Sequence, residues 1–260
     1  VSTPAVLIHL DQELLAKAAA ARLVTRVVDA QAARGTASVV LTGGGVGTAV
    51  LAALNATPAR DAIDWRKLDI WWGDERFLPT GDPERNETGA RAALLDHVDL
   101  DPARVHPMPA TDGPDGADPE AAAARYAEEL RRAARPEDHG PVPSFDVLML
   151  GVGPDAHVAS LFPEMPALYD DRPVVGVRGA PKPPPTRISL TMPSLRAARD
   201  VWVLAAGSSK AKAVRLGLSP EAGPVQVPVA GARGRRSTLF LLDRAAASEL
   251  PRGIERIASP

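Results

Sequence analysis

Cysteine is absent from all 260 residues. That excludes disulfides, thiolate nucleophiles and cysteine-bound metals, and it fits a reducing compartment. No apolar run approaches the length that a membrane-spanning helix needs, about 18 residues. The start, VSTPAVLIHLDQELL, has no basic stretch leading into an apolar signal core. A cytoplasmic protein without a membrane partner is therefore expected. A dominant sign of charge is also missing. Thirty basic residues against 32 acidic ones leave a net charge of −2, which gives nucleic acid no obvious footing. There is no H-E-x-x-H and no ligand cluster, so no metal is expected. There is no G-x-S-x-G nucleophile elbow. Internal repeats and interdomain linkers are lacking too, and residues 1–260 read as one α/β domain of ordinary apolar and charged content.

What is present alternates. AVLIHL reads as a strand, and the segment from Asp11 to Gly35 as a helix. Asp11 is placed to cap it, Leu14, Leu15, Ala18, Leu23 and Val27 recur at helical spacing, and Gly35 follows its end. ASVVL, LDIWWG, FDVLML, DVWVLAAG and STLFLLD read as short strands with few polar interruptions, and RISLTM as an alternating one. TAVLAAL, NETGARAALLDHV (capped by Asn86), DPEAAAARYAEELRRAA (Pro119 in its first turn) and SSKAKAVRLGL read as helices. TDGPDGADPE and PKPPPT read as loops, and RGRRS as a solvated surface turn. Strands alternating with helices predict a mainly parallel sheet covered on both faces.

In open α/β sheets, ligands bind beyond the carboxyl ends of the strands. Four turns stand at such ends. TGGGVG offers Gly43, Gly44 and Gly45 before a helix, where uncovered amides suit a phosphate. GDER offers Asp74, Glu75 and Arg76. An arginine there can clasp a phosphate or carboxylate, and Asp74 can serve as a base or orient one. AGSSK puts Lys210 in a first helical turn, where the macrodipole disfavours a cation unless an anion shares the site. GVGPDAH delivers Asp155 and His157 after two glycines, and imidazole is the side chain suited to proton transfer at neutral pH. Each also admits a plainer reading: a turn needing glycine for its geometry, a solvated charge cluster, a lysine facing water, or Asp155 and His157 as two ligands of a metal.

The blocks WWGDERFLP, GVGPDAHVASLFP, PKPPPTRISLT and AGSSKAKAV, in that order between residues 40 and 215, resemble the 6-phosphogluconolactonase family. One departure is Ala156, where that family usually has glycine. If the position needs a positive φ, alanine is strained there by about 1 kcal/mol or more. The resemblance implies a three-layer α/β/α sandwich with a mainly parallel, Rossmann-like sheet, of the sugar-phosphate isomerase/lactonase type. It implies hydrolysis of 6-phospho-D-glucono-1,5-lactone in the oxidative pentose phosphate pathway, with no cofactor. His157 is then the general base and acid, and Asp74 orients the imidazole or the water. Gly43, Gly44, Gly45, Arg76, Asp155, Arg187 and Lys210 bind substrate, and a monomer is expected. Three other readings stay open. They are an amino-sugar phosphate deaminase or isomerase on the same fold, a non-enzymatic sugar-phosphate-binding regulator, and a nucleotide-dependent oxidoreductase. The last is disfavoured because the interval from Gly43 to Asp74 exceeds the ~20 residues usual for dinucleotide sites.

Overall fold

A computed structural model describes residues 2–250 and residue 254. Its strands are β1 (Pro4–His9), β2 (Ala37–Leu41), β3 (Leu68–Trp72), β4 (Asp74–Arg76), β5 (Val147–Gly151), β6 (Val174–Val177), β7 (Arg187–Leu190), β8 (Asp200–Ala205) and β9 (Ser237–Asp243). Its helices are α1 (Gln12–Arg34), α2 (Gly44–Ala56), α3 (Asn86–Ala93), α4 (Pro119–Ala133), α5 (Met192–Leu195), α6 (Ala211–Gly217) and α7 (Pro228–Gly231). Six strands form one all-parallel sheet in the order β1-β9-β8-β5-β2-β3. The expected α/β fold, a mainly parallel sheet with flanking helices, is what forms. None of the helices described is long and apolar enough to cross a membrane.

The uninterrupted apolar runs account for the centre of this sheet. Every residue of β8 is buried, as are Val147 to Leu150 of β5. Such strands need cover on both faces. Helix α1 supplies part of it with Leu15, Ala19, Leu23 and Val27. Asp11 caps it by accepting the Leu14 N–H at 2.8 Å, and Gly35 ends it at φ 80°. Leu14, counted among the apolar stripe in the sequence, is instead 44% exposed.

A second sheet was not legible. Strands β4, β7 and β6 form a three-stranded antiparallel sheet packed on α4, so Asp74 to Arg76 belong to a strand and not to a free loop. Asn86 does not cap α3. It is the first helical residue, and the caps come from elsewhere in the chain. The Glu75 carboxylate accepts the N–H of Asn86 at 2.6 Å and of Glu87 at 2.9 Å. The RGRRS turn is also less free than expected. Arg236 donates to Asp200 at 2.7 and 2.9 Å, and Arg233 lies over the Phe240 ring and bonds the Gly217 carbonyl.

Candidate active site

Because β8, β5 and β2 are neighbours and parallel, the turns that follow them open side by side. Together with β4 and β7 they line one cleft. Its walls include Gly43, Gly44, Gly45, Asp74, Arg76, His157, Arg187 and Lys210. Asn86, expected only as a helix cap, and Lys182, not singled out in the sequence, are among the other residues of the wall. Asp155 lies behind His157 and is not part of the wall.

The histidine is built in by its own turn. Asp155 Oδ1 accepts the His157 backbone N–H at 3.1 Å and pairs with Nδ1 at 2.6 Å. The first bond is an Asx turn, the arrangement aspartate favours two residues ahead of an amide. The His157 carbonyl accepts the Gly153 N–H at 3.0 Å and closes the loop. Gly153 has to be glycine, because a Cβ there would overlap Nδ1 and Cε1 of the imidazole. Phe162 packs against the ring with centroids 4.5 Å apart. Nε2 makes no hydrogen bond among the described residues. Burial opposes ionisation of Asp155, but the His157 side chain and amide outweigh it and hold the carboxyl below the usual carboxylate range. The carboxylate therefore fixes the Nδ1–H tautomer and leaves Nε2 as a base (the proton assignment follows from the bonding,).

The group that orients the imidazole is thus Asp155 and not Asp74. Asp74 is buried, and its Oδ2 accepts the Ser160 hydroxyl at 2.7 Å. Asn86 donates to the Asp74 carbonyl at 2.9 Å and presses on Gly43, where a Cβ would collide with its side chain. Asp74 therefore ties the histidine turn to β4, and Asn86 ties β4 to the glycine turn. Thr42 adds a third tie by accepting the Gly151 N–H at 3.2 Å.

Ala156 has φ 71° and is fully buried, so alanine occupies the left-handed region for which the family has glycine. The strain of about 1 kcal/mol or more expected from that conformation opposes the roughly 0.4–1 kcal/mol by which glycine stabilises the unfolded chain. Ala156→Gly is therefore expected to melt no lower than the wild type, with activity unchanged or higher. A fall of more than about 2 °C in a thermal melt, which for a chain this long means roughly half a kcal/mol or more, contradicts the strained turn.

Cations outnumber carboxylates in the cleft wall, where Arg76, Lys182, Arg187 and Lys210 face Asp74 alone. Burial lowers the Lys210 pKa, and the charge of Lys182 lowers it further, against a smaller pull from Asp155. Lys210 closes the single 3-10 turn Ser208–Lys210 and stands immediately before α6. Two ammonium groups that disturb each other in this way favour an anion between them. Helix α2 adds its amino end. It starts within the glycines, at Gly44, and no side chain caps it, so its first amides are free for a ligand. Arg187 is 2% exposed, and its Nε and Nη2 are occupied by protein carbonyls. Among the described residues, no group of three or more His, Asp or Glu side chains is arranged to hold a metal ion.

Comparison with known proteins gives a consistent picture. A family model described as glucosamine-6-phosphate isomerases/6-phosphogluconolactonase matches residues 10–241. The 6-phosphogluconolactonase of Streptomyces coelicolor is 66% identical over 258 residues, which is 99% of this chain and 98% of the relative. That of Mycobacterium tuberculosis is 50% identical over 242 residues, 93% and 96% of the two chains. Among solved structures, the 6-phosphogluconolactonase of Trypanosoma brucei superposes with a TM-score of 0.79 at 27% identity, covering 95% of this chain and 99% of that one.

Proposed function

Since the chain belongs to the glucosamine-6-phosphate isomerase/6-phosphogluconolactonase family, we propose how its cleft carries out the hydrolysis of 6-phospho-D-glucono-1,5-lactone in the oxidative pentose phosphate pathway. That reaction is the one its relatives at 66% and 50% identity are named for. The observation that carries the mechanism is the Asp155–His157 pair, open to a cleft that also holds Lys182 and Lys210.

Lys182 and Lys210 hold the phosphate dianion together with the free amides at the start of α2. With the phosphate fixed, the ring lies across the histidine turn. Nε2 of His157 takes a proton from water as the water oxygen attacks the C1 carbonyl. The carbonyl electron pair moves to oxygen, and the tetrahedral oxyanion is stabilised by Arg76, since Arg187, the other arginine of the cleft wall, is engaged with the carbonyls of residues 182–184. When the oxyanion collapses, the bond from C1 to the ring oxygen breaks. That oxygen leaves with the electron pair and takes the proton back from the imidazolium. The products are a carboxylic acid, which ionises, and a free hydroxyl. Asp155 stabilises the imidazolium that exists between the two transfers. The same histidine serves as base and then as acid, so no covalent acyl-enzyme is needed.

The proposal includes a cytoplasmic protein acting as a monomer on a diffusible sugar phosphate. Ring opening and deamination of an amino sugar need further acid–base groups beside the histidine, and the residues that follow it, Val158 to Pro163, are apolar apart from Ser160, whose hydroxyl is spent on Asp74. Incubation with glucosamine 6-phosphate is therefore expected to release no ammonia. Enzyme-dependent ammonia release at a rate comparable to lactone hydrolysis would falsify the assignment of chemistry.

A further inference from the structure

Lys182 sits in a segment, PKPPPT, with neither helix nor strand to hold it. One side chain spans that segment. The Arg187 guanidinium donates from Nε to the Pro184 carbonyl at 2.7 Å, and from Nη2 to the Lys182 carbonyl at 2.8 Å and the Pro183 carbonyl at 3.1 Å. Three successive carbonyls thus converge on one planar fork. The fork is fixed in turn. Arg187 begins β7, is 2% exposed, and lies over the Phe162 ring at 6.0 Å from its centroid. Tertiary amides at Pro183, Pro184 and Pro185 have no N–H. The turn therefore has few donors of its own with which to fold back on itself, and a buried external donor replaces them.

We propose that Arg187 is a positioning residue that acts through Lys182. By gathering the carbonyls of residues 182–184 it sets the backbone from which the Lys182 ammonium reaches the cleft opposite Lys210. The sequence offered Arg187 as a direct substrate ligand, but two of its three donor nitrogens are used on the loop. Lysine could supply the charge at this position but not the planar fork, which reaches carbonyls in different directions. The proposal rests on the reading of Lys182 as a phosphate group's partner, and its test separates the two.

The test is a double-mutant cycle on Arg187→Lys and Lys182→Ala, with kcat and KM measured for the phosphorylated and unphosphorylated lactones and folding checked by thermal melts. Lys182→Ala is expected to raise KM for the phosphorylated lactone roughly 10- to 100-fold, the effect of one charge-assisted hydrogen bond, with kcat much less affected. Arg187→Lys should reduce the preference for the phosphorylated lactone by a similar factor, and the double variant should be no worse than Lys182→Ala alone. Additive losses in the double variant, or equal losses on both lactones in Arg187→Lys, overturn the positioning role and point to direct contact through Nη1. An unchanged KM in Lys182→Ala overturns the phosphate reading of Lys182 and the proposal with it, and that failure is recognised from the single variant. If Arg187→Lys does not fold, Arg187→Gln keeps two planar N–H donors without the charge, and the same cycle is read with it.

Discussion

Replacing His157 with alanine is expected to lower kcat by roughly 10²–10⁴-fold, the usual contribution of a positioned acid–base group, with KM changed little. Both proton transfers are lost at once, because no second group stands ready. Asp155 makes its side-chain contact with the imidazole itself, and Asp74 is engaged with Ser160. The phosphate partners, the amides of α2 and Arg76 remain, so the variant should still bind substrate and retain the electrostatic stabilisation of the oxyanion by Arg76. The fold should survive too, since the turn is closed by backbone bonds from Gly153 to His157 and from Ala156 to Gly153. Initial rates and a thermal melt check both statements. A kcat within a few-fold of the wild type removes His157 from the mechanism.

The second large effect concerns the substrate. Unphosphorylated gluconolactone is expected to have a kcat/KM lower by roughly 10²–10⁴-fold, if two charge-assisted contacts are worth about 1.5–3 kcal/mol each. Part of that loss should fall on kcat. The phosphate is remote from the carbonyl, and its binding energy orients the ring against His157 in the transition state. Competition between the two lactones in one reaction gives the ratio directly. Equal specificity constants would leave Lys182, Lys210 and the amino end of α2 without the role assigned to them.

Much of this was legible in the sequence, for reasons that can be stated residue by residue. The central strands are continuous apolar runs that only a doubly covered parallel sheet can accommodate, as β5 and β8 show. The turns after them then had to share an edge, which is why Gly43, His157 and Lys210 meet at one cleft. The antiparallel sheet was hidden because β4 has three residues and β6 four, too few for a period to show, and the alternating RISLTM that holds β7 carried no sign of which strands it pairs with. Asn86 has the residue type of a cap, yet the capping carboxylate of α3 belongs to Glu75 on β4, a partner that only the tertiary fold supplies. Asp155 stood two residues from His157, a spacing at which an Asx turn can form, but Asp74 drew the role of orienting the imidazole or the water because of its position at a strand end, and of these the imidazole belongs to Asp155. The structure puts Asp74 on Ser160. Lys182 carried no signal of its own within a proline-rich loop, since its closeness to Lys210 is a property of the folded chain. Ala156 was the one local departure that announced itself, and its φ of 71° shows why glycine is the usual residue there.

The central claim is that this cleft hydrolyses a phosphorylated lactone. The most direct measurement is acid release from freshly generated 6-phospho-D-glucono-1,5-lactone at constant pH, with spontaneous ring opening subtracted. The predicted result is a rate that rises in proportion to enzyme concentration and saturates with substrate. A rate equal to spontaneous opening at every enzyme concentration, from a protein that melts cooperatively, would contradict the account.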